Sequence, residues 1–390
     1  PEVIQKKNLL RKGDTFPFGM KYGGDEVRRS WNKAVEIAAG AKQEERIEEY
    51  NASSTLKKKG LSFMPVCFGI SFTNTSMNQA SALVHVYVDG SVGVSTGAVE
   101  MGQGVNTKLA QVAARSLGID LQRIKVETTN TTRAANTSPT AASTGADMNG
   151  NATRIACGHI LKRLMMFAGA ELGKSAEKLK LKNETVTVDG SPTPLKWQEL
   201  VSKAYLQRIS LSCQAHYATP DIHFDKTREK GRPFAYHVAG TAVTEVTLDR
   251  LRGTFTADRV LIVHDAGDPI NPLVDRGQIQ GGLVQGMGWV TMEELKYEKS
   301  SSRLLSDSLA TYKVPDIMAA PEEVEIHFLE CRSDNAGIYN SKAVGEPPFM
   351  YGIGTCFALL DALGKCGAEL PEVLSAPLSS EKLLLLLTGS

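Results

Sequence analysis

The chain has 390 residues, with 44 Lys and Arg against 43 Asp and Glu, a formal net charge of +1. That balance gives no electrostatic reason to capture nucleic acid or an anionic membrane, and a composition 42% hydrophobic without a repeat excludes disordered and collagen-like classes. No apolar run approaches the roughly 20 residues needed to span a bilayer, and the length supports roughly two to three domains' worth of chain.

The start, Pro1-Glu2-Val3-Ile4, lacks an initiating Met and an apolar signal core and reads as trimmed. Asp25 to Lys59 reads as one long charged amphipathic helix, with Val27, Trp31, Ala34, Ile37 and Ala38 at helical spacing and Gly60 as its stop. Leu61 to Phe72 has a buried-strand pattern. Leu83 to Val88 alternates, Asp89-Gly90 turns, and Val92 to Val94 returns, a hairpin signature. A helix is expected from about Thr107 to Leu117, closed by Gly118, and a strand at Ile124 to Thr128. A Ser/Thr/Asn-rich loop, Thr129 to Thr140, leads into a small-residue helix near Ala141 to Ala168.

Gly173 to Pro194 is polar and reads as a surface excursion with a hairpin turn at Asp189-Gly190. Further expectations are a short helix at Trp197 to Leu206, strands at Val243 to Leu248 and Val260 to His264, and a Gly- and Gln-rich helix at Val274 to Gly288. Strands follow at Val324 to Leu329 and near Ile338-Tyr339, then a last core helix at Phe349 to Leu363. Strands and helices mix without strict alternation, which favours an α+β class over a doubly wound sheet.

The six cysteines, Cys67, Cys157, Cys213, Cys331, Cys356 and Cys366, form no C-x-x-C pair. That spacing argues against an iron–sulfur cluster, a structural zinc or a disulfide framework in this chain and fits a reducing cytoplasm. The seven histidines are dispersed, so any metal used here is not held by a protein-only ligand set. Met64, Met101 and Met287 read as packing residues.

Four segments could carry chemistry. In Glu100-Met101-Gly102-Gln103-Gly104, two glycines let a ligand approach the backbone, Gln103 offers a donor and an acceptor, and the following helix presents free N–H groups. An ordinary glycine turn explains the motif equally well. Asn136 to Ala146 opens a helix with hydroxyls and small residues; Ser138 or Thr140 as N-cap with Pro139 at N1 competes with amides that hold a phosphate or a pterin. Gly277 to Gly288 puts helix glycines where close packing or ligand approach must offset roughly 1 kcal/mol each. In Lys342 to Pro348, two prolines fix the chain after a lone carboxylate, Glu346, which is either a general base of raised pKa or a surface residue in a turn.

Together with Phe68-Gly69-Ile70-Ser71-Phe72-Thr73, Asn78-Gln79-Ala80 and Val84 to Tyr87, these segments resemble in order the molybdenum hydroxylases, and most closely the xanthine dehydrogenase/oxidase family. The resemblance covers the C-terminal half of the molybdopterin-binding region, from about Trp31 to the C-terminus. It implies that residues 1–60 are an N-terminal extension and helix, and that 61–235 and 236–390 are two parts of that region.

The resemblance also implies roles. Gln103, between Gly102 and Gly104, matches the cofactor-contacting Gln near an oxo ligand of molybdenum. Ala142, with Ser143 and Gly145, matches the pterin-contacting loop, and Gln278 a further cofactor Gln. Glu346 matches the catalytic Glu of the G-E-P-P motif, and Phe72 and Thr73 match a substrate-pocket pair that reads as xanthine dehydrogenase more than aldehyde oxidase.

The implied reaction is hydroxylation of a purine, hypoxanthine or xanthine to urate, with oxygen from water and hydride passing to a sulfur on molybdenum. The metal is held by molybdopterin, with no direct protein ligand. FAD, 2Fe-2S clusters and the upstream half of the molybdenum region are implied on partner chains or absent segments, in a cytoplasmic assembly expected to be dimeric. An aldehyde or another N-heterocycle such as nicotinate is the alternative substrate class, and a cofactor-free scaffold the alternative role.

Overall fold

The structure is a computed structural model and describes residues 1–127, 129–330, 337–370 and 372–389. Thr128, the expected end of a strand, and Cys331 lie outside the described residues. The N-terminal part holds α1 (Glu2–Asn8), α2 (Glu26–Gly40), α3 (Gln43–Ser53) and the strand β1 (Lys57–Ile70). The single helix expected over Asp25 to Lys59 is therefore two helices and the start of a strand. The break falls at Lys42, whose left-handed φ of 50° ends the helical path, while the buried Gln43 side chain donates to Glu245 Oε2 at 3.0 Å and sets the new direction. Gly60 is not a stop: it lies inside β1, where a Cβ would stand 2.0 Å from the Ala358 carbonyl oxygen.

Next come β2 (Gln79–Val86), β3 (Val92–Thr96), α4 (Val105–Leu117), β4 (Ile124–Val126) and the 28-residue α5 (Gly145–Leu172). The segment after α5 forms β5 (Leu179–Lys182), β6 (Thr185–Val188) and β7 (Ser191–Lys196), followed by α6 (Trp197–Leu206) and β8 (Ser212–Ala218). The Asp189-Gly190 hairpin turn is present, with φ of 50° and 85° as a two-residue hairpin requires. The surface-excursion reading fails, because Leu179, Leu181, Val186 and Leu195 are buried in the core beneath this small sheet.

The remaining elements are β9 (His223–Asp225), β10 (Lys230–Arg232), β11 (Tyr236–Asp249), β12 (Phe255–His264), α7 (Pro272–Thr291), β13 (Glu323–Phe328), α8 (Glu346–Phe349), α9 (Ile353–Lys365) and α10 (Ser380–Thr388). Ile338-Tyr339 is a 3-10 turn instead of a strand, with Tyr339 at φ 54°. Nor is the helix near Phe349 to Leu363 the last in the core, since α10 buries Leu383 against α9.

One sheet runs β1-β11-β12-β13, antiparallel except for the parallel β12/β13 pair, and a second runs β4-β3-β2-β8 with β3/β4 parallel. Mixed sheets with helices packed on them make the fold α+β. Residues 57–70 pair with 236–249 along their whole length, so the divisions at 60 and 235 both run through this sheet. Strand alternation explains its two faces. Phe63, Ala239, Val243, Leu261 and Val263 meet Trp31 and Ala34 of α2, whereas Val66, Ala242, Val260 and Ile262 meet Ile279, Leu283 and Met287 of α7. With both faces covered, these strands read as continuous apolar runs. The second sheet is sealed by α4 and α5 through Val84, Val94, Leu117, Ile160 and Leu164.

Candidate active site

The four sequence segments meet in one cavity of about 280 Å3, whose lining includes Gln103, Ala142, Ser143, Gly145, Gln278 and Glu346. Gly102 and Gly104 flank Gln103 on the loop that enters α4, at φ of 97° and 77°. That loop is tied internally. Gln103 Nε2 donates to the Val99 carbonyl at 2.8 Å, and its Oε1 accepts from Met101 N at 2.6 Å. Met101 is 65% exposed, so it is not the packing residue that the sequence suggests.

One of the helix amides expected to be free for an anion, Asn106 N, is already engaged, together with two amides of the loop before the helix. Glu100 accepts from Gly102 N, Gly104 N and Asn106 N at 3.0, 2.9 and 2.9 Å. Burial pushes the Glu100 carboxyl upward, but these backbone donors outweigh it and hold its pKa below the ordinary value. Nothing in the sequence around Glu100 marks this role.

The second segment does carry unpaired donors. Neither Ser138 nor Thr140 caps α5, which begins at Gly145 with Thr144 at the N-cap. Thr140 Oγ1 instead accepts from Val99 N at 3.0 Å, joining this loop to the Gln103 loop. Ala142 and Ser143 both adopt left-handed φ, 52° and 54°. Among the described residues, nothing accepts from the amides of Ala142, Ser143, Gly145 and Ala146. These amides line the cavity at the positive end of a 28-residue helix. They suit a group rich in oxygen and nitrogen acceptors, and the small side chains leave room for it to reach the backbone.

Gln278, on α7, donates to the Gly102 carbonyl at 3.4 Å and so closes the cavity between α7 and the Gln103 loop. The glycines of α7 are explained by packing at three positions. A Cβ on Gly286 would stand 2.0 Å from the Phe349 carbonyl oxygen, one on Gly282 3.0 Å from Pro348, and one on Gly288 2.6 Å from Pro315. This close approach brings the turn after Glu346 onto α7. Glu346 itself is exposed at the cavity, with Ala343, Val344, Pro347 and Pro348 buried around it.

Beneath the cavity lies a polar frame that sequence reasoning missed. Tyr236 Oη donates to Asp147 Oδ2 at 2.5 Å and accepts from Ala343 N at 3.1 Å, and Asp147 Oδ1 accepts from Ile338 N at 3.3 Å. Burial raises the Asp147 pKa to about 6, against the lowering effect of its hydrogen bonds. Lys342 Nζ pairs with Asp265 Oδ2 at 2.5 Å and donates to the His237 carbonyl. Lys108 Nζ pairs with the buried Asp275 at 2.5 Å. Burial raises both Asp265 and Asp275, opposed by their lysines. An acidic residue in the first turn of α5 looks like ordinary helix-dipole pairing, so Asp147 carried no distinguishing signal, and neither did Tyr236.

Phe72 and Thr73 are not among the cavity's lining residues. They follow β1 on a turn fixed by Asn78, whose side chain accepts from Phe72 N at 2.8 Å and donates to Phe72 O at 2.9 Å. Ile70, two residues earlier, shares a buried cluster with Ala343 of the cavity wall.

Known proteins decide the family. The molybdopterin cofactor-binding domain model matches residues 33–321. The chain belongs to that family. It is 40% identical over 387 residues to xanthine dehydrogenase/oxidase of Gallus gallus, covering 98% of this chain and 27% of the relative. With the Oryza sativa subsp. japonica xanthine dehydrogenase it shares 37% over 375 residues, covering 95% of this chain and 26% of the relative. The chain is thus a molybdopterin-binding region of the xanthine dehydrogenase family and spans about a quarter of the length of these relatives.

Solved structures agree on the fold. Quinoline 2-oxidoreductase from Pseudomonas putida 86 superposes with a TM-score of 0.85 at 22% identity, over 99% of this chain and 49% of that one. The aldehyde oxidoreductase from Desulfovibrio gigas gives 0.77 at 22% identity, over 99% and 38%. The free amides and small residues of the cavity fit the molybdopterin that the family binds. No helix among the described residues is long and apolar enough to cross a membrane.

Proposed function

We propose that this chain is the base-bearing part of a molybdenum-dependent hydroxylase that acts as a xanthine dehydrogenase, oxidising hypoxanthine and xanthine to urate with oxygen from water. The observation that carries this reading is the convergence in one cavity of Gln103, Ala142, Ser143, Gly145, Gln278 and Glu346, drawn from four distant segments. The xanthine dehydrogenase/oxidase relative at 40% identity supports the substrate class. Aldehyde oxidase 2 of Macaca fascicularis, 37% identical over 369 residues, makes an aldehyde the second reading.

In this proposal Gln103, Gln278 and the amides of Ala142, Ser143 and Gly145 would hold molybdopterin, with Gly102 and Gly104 allowing the loop to approach it. When bound, the group supplies the two-electron redox chemistry of the hydroxylation. Glu346 is the general base. Its Oε2 is hydrogen-bonded to Ser143, and its Oε1 has no partner among the described residues, so Oε1 is the atom that accepts a proton. Tyr236 holds Ala343, three residues before this base, and the Lys342–Asp265 pair anchors the residue before that.

Phe72 and Thr73 are proposed substrate contacts on the turn beside the cavity wall. The upstream half of the molybdenum region, the FAD and the 2Fe-2S clusters are proposed on other segments or chains, in a dimeric assembly. The five described cysteines are free thiols, which supports a cytoplasmic setting.

Glu346→Gln tests the reading. It keeps the shape of the side chain, so folding and molybdenum content stay near wild type while turnover falls by about 10²-fold or more. Retention of more than about a tenth of the rate removes Glu346 as the base.

A further inference from the structure

We propose that Ser143 is a positioning residue for Glu346, its hydroxyl committed to the base and not to the cofactor. This rests on the reading of Glu346 as the general base. The two residues are 203 positions apart, and Ser143 Oγ makes two contacts with Glu346. It accepts from the Glu346 backbone N–H at 2.8 Å and donates to the Glu346 carboxylate Oε2 at 2.8 Å. A hydroxyl has one proton, and here that proton points at Oε2 while a lone pair receives the N–H. Ser143 therefore joins the main chain and the side chain of the same residue and restrains the torsions between them.

Two further features fit this role. Ser143 stands at φ 54° directly after Ala142 at φ 52°, a backbone that few non-glycine residues adopt in succession. Gly345 leaves the space that the hydroxyl needs, since a Cβ there would stand 2.9 Å from Ser143 Oγ. The consequence is an asymmetric carboxylate: Oε2 is held by the hydroxyl, and Oε1, without a hydrogen-bond partner among the described residues, is left to take the proton. Ser143 keeps its own proton throughout.

The test uses the complete molybdenum-loaded enzyme that contains this chain, with Ser143→Ala and Ser143→Gly compared. Glycine is comfortable at this φ, so it removes the hydroxyl without backbone strain. Loss of a hydrogen bond to a charged group corresponds to about a 10- to 100-fold change. Both variants are expected to lose that much kcat with molybdenum content unchanged and KM for xanthine within about threefold. In a Glu346→Gln background, timed by single-turnover reduction over hours, Ser143→Ala is expected to cost less than about threefold more, because the two residues act as a unit.

The proposal is overturned by a rate above half of wild type in both variants, by loss confined to Ser143→Ala, or by loss that follows molybdenum content. An undiminished effect in the Glu346→Gln background also overturns it. If Glu346→Gln reduces too slowly to time, the Ala–Gly comparison decides alone. Failure of the base assignment itself is read separately, from the rate of Glu346→Gln with Ser143 intact.

Discussion

Tyr236→Phe removes one hydroxyl from the buried polar frame behind the cavity wall and changes nothing else in shape. Two hydrogen bonds go with it, to Asp147 Oδ2 at 2.5 Å and from Ala343 N at 3.1 Å. Both partners stay buried, so the cost is that of leaving them unmet. The Ala343 N–H is worth about 1–2 kcal/mol, and the bond to Asp147 adds about 1–3 kcal/mol when that carboxyl is ionised.

The charge state of Asp147 gives this cost a pH dependence. Its folded pKa is raised from 3.8 to about 6 by burial. A raised carboxylate pKa contributes stability that is fully present below the unfolded value and is lost as pH rises through the folded one. The two-unit shift corresponds to roughly 3 kcal/mol, lost between about pH 4 and pH 6. The Tyr236 hydrogen bond lowers this pKa, so its removal raises Asp147 further and extends the loss above pH 6. The variant is therefore hurt more at pH 7.5, by about 2–5 kcal/mol, than at pH 5, by about 1–2 kcal/mol.

With an unfolding entropy of ~2.1 cal/mol/K per residue over 390 residues, each kcal/mol lowers Tm by about 1.2 °C. Thermal melts should show a drop of about 2–6 °C at pH 7.5 and about 1–2 °C at pH 5. Equal drops at both pH values, or a larger one at pH 5, would refute the assignment of Asp147 and Tyr236 to one buried network.

Gly286→Ala should destabilise by about 1–3 kcal/mol or more, because its Cβ would stand 2.0 Å from the Phe349 carbonyl oxygen; turnover should fall with it, since the displaced turn carries Glu346, and an unchanged melt would contradict the packing. Lys108→Met leaves the buried Asp275 without its partner, and the expected loss is about 3–5 kcal/mol in urea titration at pH 7. Gln103→Ala should loosen the loop and lower cofactor retention or turnover; if both are unchanged, the proposed role of Gln103 fails.

Much of the architecture was readable because local rules and tertiary packing agree. The Asp89-Gly90 and Asp189-Gly190 hairpins, the Gly118 stop and the Trp197 to Leu206 helix are set by residues within a few positions. Readings failed where distant residues decide. The break at Lys42 depends on Gln43 reaching Glu245, and Gly60 continues a strand because α9 crosses it. The polar segment after α5 alternates strongly enough to bury one face of a sheet, although its composition looks solvent-bound.

The candidate site was readable as motifs but not as a geometry. Glycines and a lone Glu near two prolines mark positions, and only the fold brings Ser143 to Glu346 and Thr140 to the Gln103 loop. The buried frame of Asp147, Tyr236 and Lys342 is made of common residue types in ordinary contexts, so no spacing reveals it.

The most direct test of the central claim is elemental analysis of the native complex captured through this chain, with xanthine turnover assayed on the same sample. The account expects about one molybdenum per chain, iron in the same complex and urate as product. Molybdenum without xanthine turnover would move the substrate to an aldehyde or another heterocycle. A complex free of molybdenum, from cells able to make the cofactor, would contradict the enzyme reading and leave a scaffold.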